Sequence, residues 1–69
     1  MKKLIIEVNN PYYNERYETV DIDMGRWKNF HHNHMDGNET TIGFNDIDSG
    51  KYIIINPQNF ASIEAFEKE

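Results

Sequence analysis

The most continuous apolar run of the 69-residue chain is Tyr52–Ile55, one tyrosine followed by three isoleucines. It stands between Ser49-Gly50 and Asn56-Pro57, which are turn residues. A short apolar run rich in β-branched residues is typical of a strand buried on both faces, so it predicts a central strand or a strand in an interface. A chain this short cannot cover both faces, and we therefore expect a homodimer with Tyr52 and Ile54 at its interface.

Residues 3–9 alternate between apolar and polar positions and predict a half-buried first strand. Leu4, Ile6 and Val8 are expected to face inward, and the odd-numbered residues, including Ile5, outward. Asn9-Asn10-Pro11 ends this strand. The first strand thus contributes one face to the core.

Residues 17–23 alternate again and predict a second strand that pairs with the first. Val20 and Ile22 are expected to face inward. Residues 12–16 between the two strands are expected to form a turn or loop that carries Tyr12 and Tyr13. The outward positions of the second strand are Thr19, Asp21 and Asp23.

Residues 24–35 predict a short helix or an irregular loop pinned by its aromatic residues. Asp23 is a possible helix cap and Gly37 a possible stop. The weak helix formers in this segment, a glycine, two asparagines and three histidines, keep the loop open as an alternative. The residues that recur at helical spacing are Trp27, Phe30, His31 and His34.

Residues 40–45 predict a third strand with Ile42 and Phe44 inward, followed by a turn over residues 46–50. The segment 60–67 fits two structures. As a helix it would be capped by Asn56 with Pro57 in the first turn, and as a strand it would place Ile63 and Ala65 on one face.

Residues 55–64 resemble the strand, Asn-Pro turn and strand of several small bacterial and prophage β-proteins, among them the short flagellar proteins of the FlbD type. The resemblance covers about ten residues and implies a strand over 60–67. It carries no active site with it. The predicted fold is a single small all-β or α+β domain over residues 1–69, an antiparallel β meander of four to five strands with the helix or pinned loop at 24–35.

Charge and composition narrow the possible partners. The formal net charge is −5, from 12 acidic and 7 basic residues, which disfavours phosphate backbones as ligands and makes a nucleic-acid-related regulator an alternative only. The chain contains no cysteine and no apolar run near the roughly 20 residues of a membrane span. A cytoplasmic protein without a membrane partner is expected.

The candidate metal ligands are His31, His32 and His34, because neutral imidazole is a common ligand and residues three apart share a helix face. Neighbouring histidines point in different directions, so the favoured interpretation has no metal and no cofactor. The turn at residues 46–50 lacks the distant glutamate of a calcium loop. Neither a cysteine nor a serine in a glycine-flanked elbow is present, and the sequence predicts no enzyme.

Large aromatic residues exceed what a small core needs, and such residues are frequent in interface hot spots. Short, acidic, cysteine-free, asparagine-rich chains of this kind are similar in type to phage-encoded anti-defence proteins, including the small Hachiman anti-defence proteins and some anti-CRISPRs. This resemblance implies a phage or prophage inhibitor that binds a larger bacterial protein directly. The residues predicted to contact that partner are Tyr12, Tyr13, Trp27 and Phe30.

Overall fold

The computed structural model describes residues 2–12 and 14–69 of the chain. Within these residues the protein is a small α+β fold of five strands and one α-helix, and all strand pairs are antiparallel. The elements, in chain order, are β1 (Lys3–Asn9), β2 (Asn14–Thr19), α1 (Met24–Met35), β3 (Ile42–Asn45), β4 (Tyr52–Ile55), a 3-10 turn (Pro57–Asn59) and β5 (Ser62–Lys68).

The strands form two sheets instead of the single meander that the sequence predicts. One sheet has the order β2-β1-β5, and β3 and β4 form a separate hairpin. The strand at the centre of the larger sheet is therefore β1, because the C-terminal strand β5 returns to pair along its whole length. In the described part of the chain, no helix has the length and apolarity of a membrane-crossing segment.

The core lies between one face of the three-stranded sheet and a second layer made of α1 and the β3–β4 hairpin. Each element contributes the apolar residues that its own period brings to one side. The buried cluster consists of Leu4, Ile6 and Val8 from β1, Phe30 from α1, Ile42 and Phe44 from β3, and Ile55 from β4. The inward positions predicted for the first and third strands are thus confirmed.

On the opposite face of β1, Ile5 is fully buried, whereas Lys3, Glu7 and Asn9 are half-buried. Ile5 faces away from the core, as predicted, yet none of its surface is exposed. Its direct neighbours across the sheet are Glu18 in β2 and Phe66 in β5. Arg16 lies over the Phe66 ring, with 5.9 Å from its guanidinium carbon to the ring centroid. Long side chains of the flanking strands therefore shield Ile5 from water.

The second strand differs from its prediction in both extent and facing. It ends at Thr19, which pairs with Leu4 and is fully buried, whereas Val20 is 44 % exposed. Directly paired residues share a face of the sheet, so this register turns Thr19 inward. Residues 20–22 form a bend in which the Asp21 N–H donates to Oγ1 of Thr19. Ile22 packs against the core from this bend.

The helix is confirmed, and the loop alternative for residues 24–35 is wrong. The Asp23 carboxylate accepts a hydrogen bond from the Arg26 N–H at 2.8 Å, which makes Asp23 the N-cap. After Met35 the chain turns through Gly37, whose φ of 81° lies in the left-handed region that glycine tolerates. Local capping thus outweighs the weak helix propensity of the segment.

The strand β4 is not central, contrary to the prediction from its composition. It pairs only with β3 among the described residues, and its Tyr52 and Ile54 side chains are 62 % and 64 % exposed. Ile55 is buried and Ile53 packs against the core cluster. A two-stranded hairpin has one core face, so only every second residue of the apolar run is covered.

Most of the segment 60–67 is a strand, as the Asn-Pro resemblance implies, but the strand runs over Ser62–Lys68. The helical signals nevertheless act locally, because Oδ1 of Asn56 caps the single 3-10 turn that starts at Pro57. The chain then enters β5, with Ile63 and Ala65 half-buried on the core side.

Candidate interaction surface

The four residues predicted to contact a partner do not form one surface. Tyr12 is 93 % exposed, in the chain that leaves β1, and Tyr13 lies outside the described residues. Phe30 is 1 % exposed, so its assignment to a partner surface is wrong. It occupies the core-facing side of α1, where its ring centroid lies 5.8 Å from that of Trp27. Trp27 itself is only partly buried and is the member of the set that borders a groove.

The side chains of the three histidines lie in different surroundings. Nε2 of His32 lies 3.4 Å from the Asp36 carboxylate, and Nδ1 of His34 donates to the Glu39 carbonyl oxygen at 2.9 Å. His31 is exposed beside Trp27. The described residues contain no group of three or more potential metal-ligating side chains. The shared helical face of His31 and His34 therefore does not create a common ligand site.

A groove runs between α1 and β5, with Trp27 in its middle; we call it the Trp27 groove. It consists of two adjoining depressions of about 250 and 240 Å³. Trp27 and His31 border both depressions. The first is completed by Met24, Lys28 and Ala65, and the second by Pro57 and residues 60–63. The lining is largely apolar and aromatic, as in surfaces that receive side chains of another molecule.

Backbone hydrogen bonding shows that β5 presents a free edge beside this groove. The Glu18 N–H donates to the Asp46 carboxylate and the Glu18 carbonyl accepts from the Ile47 N–H, so the backbone of Glu18 points away from β1. In an antiparallel pair, two opposite residues either bond to each other or both point away from each other. Ile5, the partner of Glu18, therefore directs its N–H and carbonyl groups to β5.

The alternation continues into β5. Phe66 and Glu64, opposite Ile5 and Glu7, bond to β1, whereas the backbone groups of the residues between them point outward. The Asn9 carbonyl also points towards the C-terminal segment, as the alternation along β1 requires, and accepts from the Ala61 N–H at 2.8 Å just before β5 begins. No described residue pairs with the outward groups. The free edge of β5 consists of Ile63, Ala65 and Glu67.

A second free edge belongs to β4. The Asp46 N–H donates to the Lys51 carbonyl at 2.8 Å, so the alternation makes Phe44 and Ile53 a hydrogen-bonded pair. Tyr52 and Ile54 consequently direct their N–H and carbonyl groups away from β3, and within residues 2–12 and 14–69 nothing pairs with them. The edge of β4 thus combines free backbone groups with two exposed apolar side chains.

The exposed face of β4 depends on a glycine in β3. The hydroxyl and ring of Tyr52 lie where the Cβ of a larger residue at position 43 would be. Gly43 is the direct partner of Ile54 and the diagonal neighbour of Tyr52. Its missing side chain therefore lets the tyrosine ring lie flat across the hairpin.

Asp46 joins the hairpin to the three-stranded sheet. It is 3 % exposed and accepts hydrogen bonds from the Glu18 N–H at 2.9 Å and from the Ser49 hydroxyl at 2.7 Å. Burial alone raises the pKa of this carboxyl, but these bonds and those from the Asp48 and Ser49 N–H groups outweigh it and hold the pKa below its usual 3.8. The hairpin is thus attached through a carboxylate that favours its ionised form.

Among the described residues, the ion pair with the shortest distance is that of Arg26 and Glu39. Nη2 lies 2.8 Å from Oε1 and Nη1 lies 3.1 Å from Oε2, so the pair is bidentate. The hydrogen bonds from Arg26, and then that from Asn33, lower the pKa of the Glu39 carboxyl. This pair connects α1 to the segment that precedes β3.

The sequence predicted that Trp27 contacts a partner, but it predicted neither the groove nor the free edge of β5. Both depend on β5 lying at the end of the three-stranded sheet, next to α1. The alternation of Ile63 and Ala65 with polar residues was the available signal for a half-buried strand.

Comparisons of the chain with protein-family models, with curated proteins and with solved structures find no match.

Proposed function

We propose that the protein is a small, non-enzymatic protein-binding module that receives an extended segment of a larger protein as an additional strand on β5. The observation that carries this proposal is the free edge of Ile63, Ala65 and Glu67 beside the Trp27 groove. Strand addition uses main-chain hydrogen bonds for affinity and side-chain pockets for specificity, and both requirements are met along one strand.

The geometry of a strand explains the use of two depressions. Side chains two residues apart in an extended segment are separated by about 7 Å and lie on the same face. Two such side chains of the partner would enter the groove on either side of Trp27, while the intervening residue faces solvent. Apolar residues at alternating positions are therefore the proposed signature of the bound segment.

Charge adds a second requirement for the partner. The net charge of −5 and the carboxylates of Glu64, Glu67 and Glu69 favour a basic segment, with Lys68 and Lys28 as the opposing charges in this region. Electrostatic complementarity of this kind raises association rates and disfavours acidic competitors. The proposed ligand is thus an extended, basic segment with alternating apolar residues.

The biological role that we propose is inhibition of a larger bacterial defence protein by a phage-encoded or prophage-encoded protein in the host cytoplasm. Its support is the similarity of the whole chain to anti-defence proteins in length, acidity and lack of cysteine. Occupying a strand-forming segment of the target would block that segment directly, with no chemistry required.

The test uses a displayed library of random 12-residue peptides, selected on the immobilised protein. We expect enriched peptides with alternating apolar residues and a net positive charge. Their binding is then measured by calorimetry to the parent protein and to Ala65→Pro, which removes one outward N–H of β5 and none of the bonds to β1. We expect at least a 10-fold loss of affinity.

Asn14→Pro is the matched control, because the N–H of Asn14 points outward from β2 on the opposite edge of the same sheet. Circular dichroism establishes that both variants are folded. Equal binding by folded Ala65→Pro and the parent, or loss in Asn14→Pro alone, would contradict the proposal. The same three proteins, used as bait in a bacterial lysate, then identify the target as the protein that Ala65→Pro alone fails to retain.

A further inference from the structure

We propose that a second copy of the chain pairs with β4, so that two hairpins form one antiparallel four-stranded sheet. The inference rests on β4 alone and is independent of the strand-binding function of β5. Its basis is the coincidence of two features at Tyr52 and Ile54: backbone groups that no described residue binds, and side chains that are 62 % and 64 % exposed.

The backbone pattern specifies the register of the dimer. Only Tyr52 and Ile54 have outward groups within β4, so these residues form the hydrogen-bonded pairs of an antiparallel contact. Tyr52 of one copy then lies opposite Ile54 of the other, and the two-fold axis passes between the two Ile53 residues. This isologous arrangement makes four hydrogen bonds and pairs a tyrosine with an isoleucine twice on the same face.

The distribution of charge favours a second copy of the chain as the partner of β4, and it favours the edge of β4 over that of β5. Two chains of net charge −5 repel each other, so self-association is favoured where carboxylates are absent. Residues 52–63 contain no charged side chain, whereas the edge of β5 includes Glu67 and is next to Glu64. A self-complementary pair of Tyr52 and Ile54 needs no different partner.

The outer edge of the proposed sheet is already partly occupied. The outer strands of the proposed sheet are the two copies of β3, and there the backbone N–H of Asn45 already donates to the Asp21 carboxylate at 2.8 Å. The Asn45 side-chain amide binds the same carboxylate oxygen at 2.9 Å. The outward N–H of Asn45 is therefore not available to a further strand, which leaves Gly43, among the described residues, as the residue of β3 with free outward groups.

The size of the contact predicts a weak dimer. Four residues on each side bury less than the roughly 1,200 Å² of a standard stable interface. We therefore expect association over the range from tens of micromolar to 1 mM, where the weight-average mass rises from 8.2 kDa towards twice that value. Sedimentation equilibrium measures it.

The discriminating variant is Ile54→Lys, which places like charges in the contact, and Met35→Lys is its control. Met35 is another exposed apolar residue, 73 % exposed, and it lies at the end of α1 and not in the hairpin. Met35→Lys therefore makes the same change of charge outside the proposed contact. We expect Ile54→Lys to weaken association at least 10-fold and Met35→Lys to leave it unchanged.

Hydrogen exchange on the unmodified protein locates the contact without any substitution. The amide protons of Tyr52 and Ile54 should gain at least 10-fold protection between 20 µM and 1 mM, while those of Ile63 and Ala65 gain none. A monomeric mass at 1 mM overturns the proposal. So does association that leaves the amides of β4 unprotected or that Ile54→Lys does not weaken.

Discussion

β1 and β4 each contain a run of isoleucine residues, but they lie in different environments. In β1, Leu4, Ile5 and Ile6 are all at most 2 % exposed, although only one face of that strand meets the core. In β4, Ile55 is buried and Ile54 is 64 % exposed. The difference is the number of neighbouring strands, two for β1 and one for β4 within the described residues.

This comparison separates two sources of burial. A second layer covers the inner face of both strands, as for Ile6 and Ile55. On the other face, burial depends on side chains from both flanking strands. Ile5 of β1 lies between Glu18 and Phe66 there, whereas β4 has, among the described residues, only Gly43 and Asn45 of β3 beside it. The apolar density of a strand therefore does not determine its burial; its position in the sheet does.

The largest expected effect comes from truncating one isoleucine in each strand. Ile6→Ala should lower the free energy of unfolding by about 3 kcal/mol, because it removes a fully buried side chain and leaves a cavity. Ile54→Ala should change it by less than about 0.5 kcal/mol, since that side chain is mostly in water. Urea denaturation at low protein concentration measures both, and similar losses would show that β4 is buried in the monomer.

Next in size is the attachment of the hairpin to β2. Asp46→Ala should lower the free energy of unfolding by about 2 kcal/mol, because the Glu18 N–H and the Ser49 hydroxyl lose a buried charged acceptor. Asp48→Ala, in the same turn but exposed, is the control and should have little effect. Exchange of the Ile47 amide should accelerate in Asp46→Ala alone. Unchanged stability would mean that the Asp46 carboxylate does not contribute to the attachment of the hairpin.

A smaller effect is expected from acid. The pKa of the Asp46 carboxyl is lowered in the folded protein, so its stabilising contribution is complete above the unfolded pKa of about 4 and is lost as the pH falls through the folded value. Asp21 and Glu39 also have lowered pKa values, chiefly through hydrogen bonds from Asn45 and Arg26, and act in the same direction.

The melting temperature should therefore be nearly constant between pH 7 and pH 5 and fall below about pH 4. Asp46→Asn keeps an acceptor oxygen and removes the titration, so its melting temperature should fall less steeply below pH 4. Circular dichroism at a series of pH values gives both curves. Parallel curves would exclude Asp46 as a source of the acid sensitivity.

The smallest effect tests the exposed face of β4. Gly43→Ala places a methyl group where the Tyr52 hydroxyl lies, but the ring can swing into solvent. We expect a change in unfolding free energy of less than about 1 kcal/mol and a clear change in the ring chemical shifts of Tyr52. A loss of several kcal/mol would show that the position of the ring over the hairpin is structurally required.

Much of the local structure could be predicted from the sequence. Asp23 and Gly37 mark the ends of α1, the alternation of Leu4, Ile6 and Val8 identifies the inner face of β1, and the turn after residue 45 precedes β4. These features depend on backbone preferences and on side-chain periods over a few residues. Trp27, which the sequence predicts to contact a partner, borders the Trp27 groove, but the groove itself could not be predicted from the sequence.

The sequence by itself determined the positions of β1, β3 and β4 and which of their residues are apolar, but it left residues 24–35 open between helix and loop and residues 60–67 open between helix and strand. The tertiary structure decided that β1 and not β4 is central, that Thr19 and Phe30 are buried while Val20 is exposed, and that β5 borders a groove. The physical reason is that strand order and register arise from contacts between residues far apart in the chain. β1 became central because β5, more than fifty residues later, pairs along it, and no local pattern contains that contact.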